Sequence, residues 1–294
     1  MSFRNIIADQ LKHNRPKLAE SSVKTYTSIL YNLHKSLNKK EDDIKDFNDS
    51  KEILDTLKNK PSKIRKTVLS ALYILTNNEE FRKLMISDCG VVNNEYKTQK
   101  MDDKQKENWI STNEIQDKYN EMLAGIKDMF SKQKLASYSH IMNFLLLAVL
   151  GGVSGMAPRR SLDYSLMKIK NYDPKVDNYY KSGKFYFRRY KTSEKYGLQT
   201  LTIPKDLDTL IKKWIRLNPT DYLLFSSNKQ PVSSSQINLM LNSIFDGKHI
   251  SCDMLRHIYL TNIYKDVPAL SQMEQTAEDI GHSVGQAMLY IKKE

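Results

Sequence analysis

The chain has 294 residues, long enough to bury two separate cores. Its 46 Lys and Arg stand against 34 Asp and Glu, a net charge of +12 and a pI near 9.3, which favours a polyanionic partner. Only Cys89 and Cys252 are present, neither with a Cys or His at zinc-ligand spacing, so the composition excludes a disulfide framework and speaks against a zinc centre.

The charge is unevenly placed. Residues 151–200 hold eleven basic and four acidic side chains, more than half of the total excess. The longest apolar run, Ile141 to Val153, is broken by Asn143 and falls short of the roughly 20 residues that span a bilayer. It reads as a buried core helix. The N-terminal MSFRNIIADQLKHNRPKL lacks the apolar stretch of a secretory signal, so an intracellular setting is expected.

In chain order, Val23, Tyr26, Leu30 and Leu33 form one apolar stripe behind Ser21 and Ser22, two residues able to cap a helix. Pro61 and Ser62 open another helix, with Ile64, Val68, Ala71, Leu72 and Leu75 along one face. Lys63, Arg65 and Lys66 crowd its first turns, where cations oppose the helix dipole; contact with phosphate would compensate, and a solvated face explains them equally. Residues 93–107, dense in both charges, read as a solvated linker. This divides the chain into a helical domain over 1–92 and a second domain over 108–294.

In the second domain helical patterns cover about Ser111 to Met129 and Ala136 to Leu150, ending at Gly151 and Gly152. The period then changes to that of strands: Asn178 to Tyr180, a KSGK turn, Phe185 to Tyr190, a TSEKYG turn, and Leu198 to Ile203. Helices resume at about Leu207 to Arg216, Ser234 to Ile244, Met254 to Tyr264 and Glu274 to Ile280. The expected fold is mainly α with a small antiparallel sheet in the second domain.

Four motifs of that domain carry chemistry. In APRRSLDYSLMKI, Pro158 can begin a helix that places Arg160 and Asp163 three apart on one face, where the carboxylate can hold the guanidinium. A structural ion pair accounts for the same spacing. Lys191 follows the strand FYFRRYK at a turn, from which a lysine can reach a groove or protonate an alkoxide; Lys184 and Lys195 compete for the role. In MLRHIYLTNIY, Arg256 falls among core positions and needs an anion, either a phosphate or Asp253. In IGHSVGQAMLY, His282 can open a short helix that brings Tyr290 round two turns later.

Taken in order, Arg, Lys, Arg-His, Gly-His and Tyr resemble the tyrosine recombinase (phage-type integrase) family. The family's Gly-x-Arg-x-x-Glu is similar to Pro158 through Asp163, with Arg160 as catalytic arginine, Asp163 as its support and Arg159 as the alternative. Residues 21–37 resemble the helical core-binding segment that precedes such catalytic domains. The resemblance implies a 3′-phosphotyrosine formed by Tyr290, with Arg160 and Arg256 on the non-bridging oxygens, Lys191 protonating the leaving 5′-oxygen and His282 on a phosphate oxygen. It implies no metal or ATP, double-stranded DNA as partner, and a homotetramer on two DNA sites. Lys63, Arg65, Lys66, Arg159, Arg188 and Arg189 are the expected DNA contacts.

Three departures stand out. Asp253 occupies the place of the family's usual His or Lys three residues before the second arginine, and His249 and His257 lie at other spacings. The His282 to Tyr290 interval is about one residue short. Only Ile291 to Glu294 follow Tyr290, so the helix that relatives dock onto a neighbouring subunit is expected to be absent or removed. A type IB topoisomerase uses the same side chains, and an inactive, recombinase-derived DNA-binding protein would tolerate Asp253.

Overall fold

The computed structural model describes residues 2–39, 42–131 and 137–290. It divides into two compact units, Met1–Lys100 with Pro268–Glu294, and Met101–Val267.

The first unit is helical. Helix α1 (Phe3–Asn14) is capped by the Ser2 hydroxyl and buries Phe3, Ile7 and Leu11 at four-residue spacing. Helix α2 (Glu20–Ser36) buries Val23, Leu30 and Leu33 as the stripe predicts, but it starts ahead of the two serines, with Ala19 at the cap position and no side-chain cap. Glu20 in its first turn complements the dipole instead. After a 3-10 turn (Ile44–Asn48) come α3 (Ser50–Leu57), α4 (Ser62–Thr76) and α5 (Glu79–Lys97). On α4 the buried line is Val68, Leu69, Ala71, Leu72 and Leu75, whereas Ile64 is exposed.

The expected linker over 93–107 is for the most part helix. Helix α5 continues through Lys97, and α6 (Asp103–Asn108) starts from a capping box in which Asp102 and Gln105 satisfy each other's backbone N–H. Lys, Glu and Gln are good helix formers, so a polar sequence there was compatible with helix as well as with a flexible tether. The last two helices, α14 (Leu270–Asp279) and α15 (Val284–Met288), belong to the first unit, not to a domain running from 108 to 294. Lys97 Nζ meets Glu274 Oε1 at 2.9 Å, and Gln99 Oε1 accepts from the Leu270 N–H at 2.8 Å.

The second unit is built on α8 (Tyr138–Leu150), which is buried on nearly all sides. The expected start of this helix at Ala136 lies outside the described residues. Around α8 pack α7 (Thr112–Ser131), α11 (Lys205–Leu217), α12 (Ser234–Ile244) and α13 (Cys252–Ile263). Trp214 of α11 is fully buried, and its indole N–H donates to the Leu223 carbonyl at 2.9 Å, so the ring fills the core without leaving a donor unpaired.

Against the core lies a four-stranded sheet in the order β1 (Met167–Lys168), β2 (Asn178–Lys181), β3 (Lys184–Phe187), β4 (Gln199–Thr202). Strands β2 to β4 are antiparallel as expected, but β1 runs parallel to β2, so the sheet is mixed. A two-residue strand leaves no period to read in the sequence. The β2–β3 turn holds Ser182 and Gly183 at φ +47° and +74°, the left-handed pair that suits a two-residue hairpin. Phe185 and Phe187 point into the core; Tyr186 lies on the opposite face.

Candidate active site

The motif at 157–163 does not form the helix expected from Pro158. Residues 157–160 form no helix, and a short helix, α9, spans Ser161–Ser165, with Arg160 as its extended N-cap at φ −72°, ψ 151°. Arg159 and Arg160 are both partly buried.

The expected pairing is reversed. Asp163 Oδ2 accepts from Arg159 Nε at 2.7 Å, and the Arg159 guanidinium also lies over the rings of Phe187 and Tyr190, 4.1 and 5.3 Å from their centroids. Arg159 thus makes the acidic pairing expected of Arg160. Arg160 has no ion-pair partner among the described residues.

Asp163 is 2% exposed, and its Oδ1 has no hydrogen-bond partner among the described residues. Burial pushes its carboxyl above the ordinary range, against the opposing pull of Arg159, Arg160 and Arg256. Beside it, burial raises the Tyr164 phenol strongly, and the Cys252 thiol is pushed up to about 11 by the same cause.

Cys252 opens α13, and its Sγ–H donates to the Arg159 carbonyl at 3.1 Å. That contact joins the start of α9 to the helix that carries Arg256. Arg256 is partly buried, as its core spacing predicts, and its Nη1 donates to Asp253 Oδ1 at 3.0 Å. The other Asp253 oxygen faces His257 Nε2 at 3.5 Å. Asp253, His257 and the exposed His249 line one open cleft of about 570 Å³, together with Asp102 and Glu107.

Lys191 is exposed in the β3–β4 connection, ahead of the one-turn helix α10 (Ser193–Tyr196) and one residue beyond the buried Tyr190, whose hydroxyl donates to the Gly197 carbonyl at 2.7 Å. A residue not singled out in the sequence organises this bend. Asn178 is buried; its amide donates to the carbonyls of Asp163 and Arg189, at 3.0 and 2.8 Å, and its oxygen accepts from the N–H groups of Arg188 and Arg189, both at 2.7 Å. By taking these backbone groups, Asn178 ends β3 at Phe187, three residues short of the expected strand. Asparagine is unfavoured in strands, which is the signal that could have drawn attention to it. Arg188 Nε donates to the Pro174 carbonyl, while Arg189 is exposed.

The other candidates lie in the first unit. His282 and Tyr290 flank α15, capped by Ser283, and their rings stack with centroids 5.3 Å apart. Tyr290 is 63% exposed, so it is no packing residue. On α4, Arg65 pairs with Asp88, with Nε to Oδ2 at 2.7 Å and Nη2 to Oδ1 at 2.5 Å. Lys63 and Lys66 each place Nζ 6.0 Å from the Tyr96 ring.

Solved structures similar to this chain include site-specific recombinases and an integrase. XerA recombinase matches at 15% identity over 99% of this chain and 94% of its own, with a TM-score of 0.36. XerH recombinase bound to its difH substrate, before cleavage, matches at 16% over 99% and 92%, TM-score 0.40. A lambda integrase dimer on a COC′ core site matches at 13% over 99% and 78%, TM-score 0.48. No family model and no curated protein matches the chain. Among the described residues no group of three or more His, Cys, Asp or Glu could hold a metal, and no helix is long and apolar enough to cross a membrane.

Proposed function

We propose that the protein is a site-specific DNA recombinase of the tyrosine type. The observation that supports this reading is the junction of α9 and α13: the Cys252–Arg159 contact joins the segment of Arg160 to the helix of Arg256, and both guanidinia act on the Asp163 carboxyl, a concentration of positive charge that suits a phosphodiester. In the proposed reaction Tyr290 Oη attacks the phosphorus and gives its proton to solvent water as the O–P bond forms. The P–O5′ bond breaks, and Lys191 gives the departing 5′-oxygen a proton. Arg160 and Arg256 stabilise the charge on the non-bridging oxygens, where loss of one donor commonly costs about 10²-fold or more. His282 hydrogen-bonds a phosphate oxygen. The intermediate keeps the energy of the broken bond, so resealing draws on no ATP.

Duplex DNA is the proposed partner, with a homotetramer on two sites as the working assembly. Exposed Arg189 lies in the most basic segment of the chain and suits the backbone. A nicked duplex carrying the target site should trap a detergent-resistant protein–DNA adduct with the native chain and none with Tyr290→Phe. An adduct that persists in Tyr290→Phe would remove Tyr290 from the mechanism.

One observation favours a second reading, a DNA-binding protein without strand-transfer activity. Asp253 stands where a proton-handling side chain is expected, and its carboxylate engages Arg256. Absence of an adduct from both proteins on DNA that they bind would decide for it.

A further inference from the structure

On the solvent face of the sheet three tyrosines form one continuous stack. Tyr172 lies on Tyr179 with ring centroids 4.4 Å apart and planes within 8°, and Tyr179 lies on Tyr186 at 4.6 Å and 6°. Tyr179 is sandwiched and 6% exposed, while Tyr186 is half-buried. The next position in the row is Thr200 of β4, paired with Tyr186 in register, small and exposed. No fourth ring covers Tyr186 among the described residues.

The charge beside the stack has one sign. Lys181 and Lys184 lie opposite each other across the hairpin, on the face of Tyr179 and Tyr186, with no ion-pair partner among the described residues. Directly opposed like charges destabilise a hairpin, and an anion between them removes that cost. Asp177, next to β2, is already neutralised by Lys168 at 2.9 Å.

We propose that this face binds a single-stranded nucleic-acid segment, one unpaired base stacking on Tyr186 over Thr200 while the adjoining phosphates run past Lys181 and Lys184. A flat aromatic face with no specific hydrogen-bonding partners accepts any base, and in a duplex the base faces are already covered, so the ligand is an unpaired strand. Two lysines beside the stack favour a strand with several phosphates over a mononucleotide. The site is independent of the chemistry at Tyr290.

The test is fluorescence anisotropy of the full chain with a labelled thymidine 12-mer and with a 12-mer of the same backbone lacking all bases, at about 0.2 M salt to weaken bare phosphate attraction. Tyr186→Ala and Thr200→Glu should each weaken binding of the intact strand about 5-fold or more, and Tyr186→Phe should restore it. The base-free strand should bind as weakly as the variants do. Thr200→Glu leaves the three rings in place, so a fold defect in Tyr186→Ala does not blur the result. Equal affinity for the two strands, or native affinity in both variants, overturns the proposal and leaves the stack as reinforcement of the sheet.

Discussion

Arg159 Nε and Asp163 Oδ2 lie 2.7 Å apart in a setting where the carboxylate is almost wholly buried. The proposed function gives the adjacent arginines different tasks. Arg159→Ala leaves a buried carboxylate without its counter-charge and should cost about 2–3 kcal/mol. Arg160→Ala should stay within about 0.5 kcal/mol of the native stability while adduct formation drops by about 10²-fold or more. Urea unfolding beside the adduct assay checks both; equal destabilisation by the two substitutions contradicts the division of roles.

Asp163 should titrate above an ordinary aspartate. Its folded-state pKa is raised by burial, so the native state holds the proton more tightly than the unfolded chain does. This group's contribution therefore favours the fold below the unfolded value and is lost as pH rises through the folded one. Because Arg159 lowers the carboxyl, Arg159→Ala should move the midpoint higher still. Carbon NMR of the Asp163 carboxyl reads the midpoint directly, and a downward move in the variant counts against the assignment.

In the first unit the sign is opposite. The hydrogen bond from Arg65 holds the Asp88 carboxyl below its usual range despite burial. The stability it contributes is present above the ordinary carboxylate pKa and is lost as pH falls through the lower folded value. Arg65→Ala should cost about 2 kcal/mol, less than a fully buried pair because the guanidinium is one-third exposed. Thermal melts in mildly acidic buffers should show the native chain losing stability to acid more steeply than the variant.

Gly152 has φ +74°, and a Cβ there would stand 2.5 Å from Tyr259 Cδ2 on the helix that bears Arg256. Gly152→Ala combines backbone strain with a clash against a packed ring, for an expected cost of about 3 kcal/mol or more. A melting temperature within a degree of native would show that α13 can move aside freely.

Much of this architecture was legible in the sequence because burial imposes a period. The α8 run, the Val68 to Leu75 face and the β2–β3 hairpin all declare themselves through apolar spacing or turn residues. What was not legible depended on partners distant in sequence. No rule of spacing shows that Asp88 claims Arg65, or that Asp163 pairs with Arg159 in place of its neighbour. The polar stretch at 93–107 misled for a related reason: an exposed helix and a tether share a composition, and only the capping box at Asp102 and Gln105 separates them.

Asn178 uses the whole capacity of its side chain, two donors and two acceptor lone pairs, on four backbone groups. Conversion of this amide to a carboxylate by spontaneous deamidation would exchange one nitrogen for one oxygen. Both carbonyls that now receive a proton would then face a negative charge. The bend that carries Lys191 thus depends on the neutrality of a single amide thirteen residues upstream.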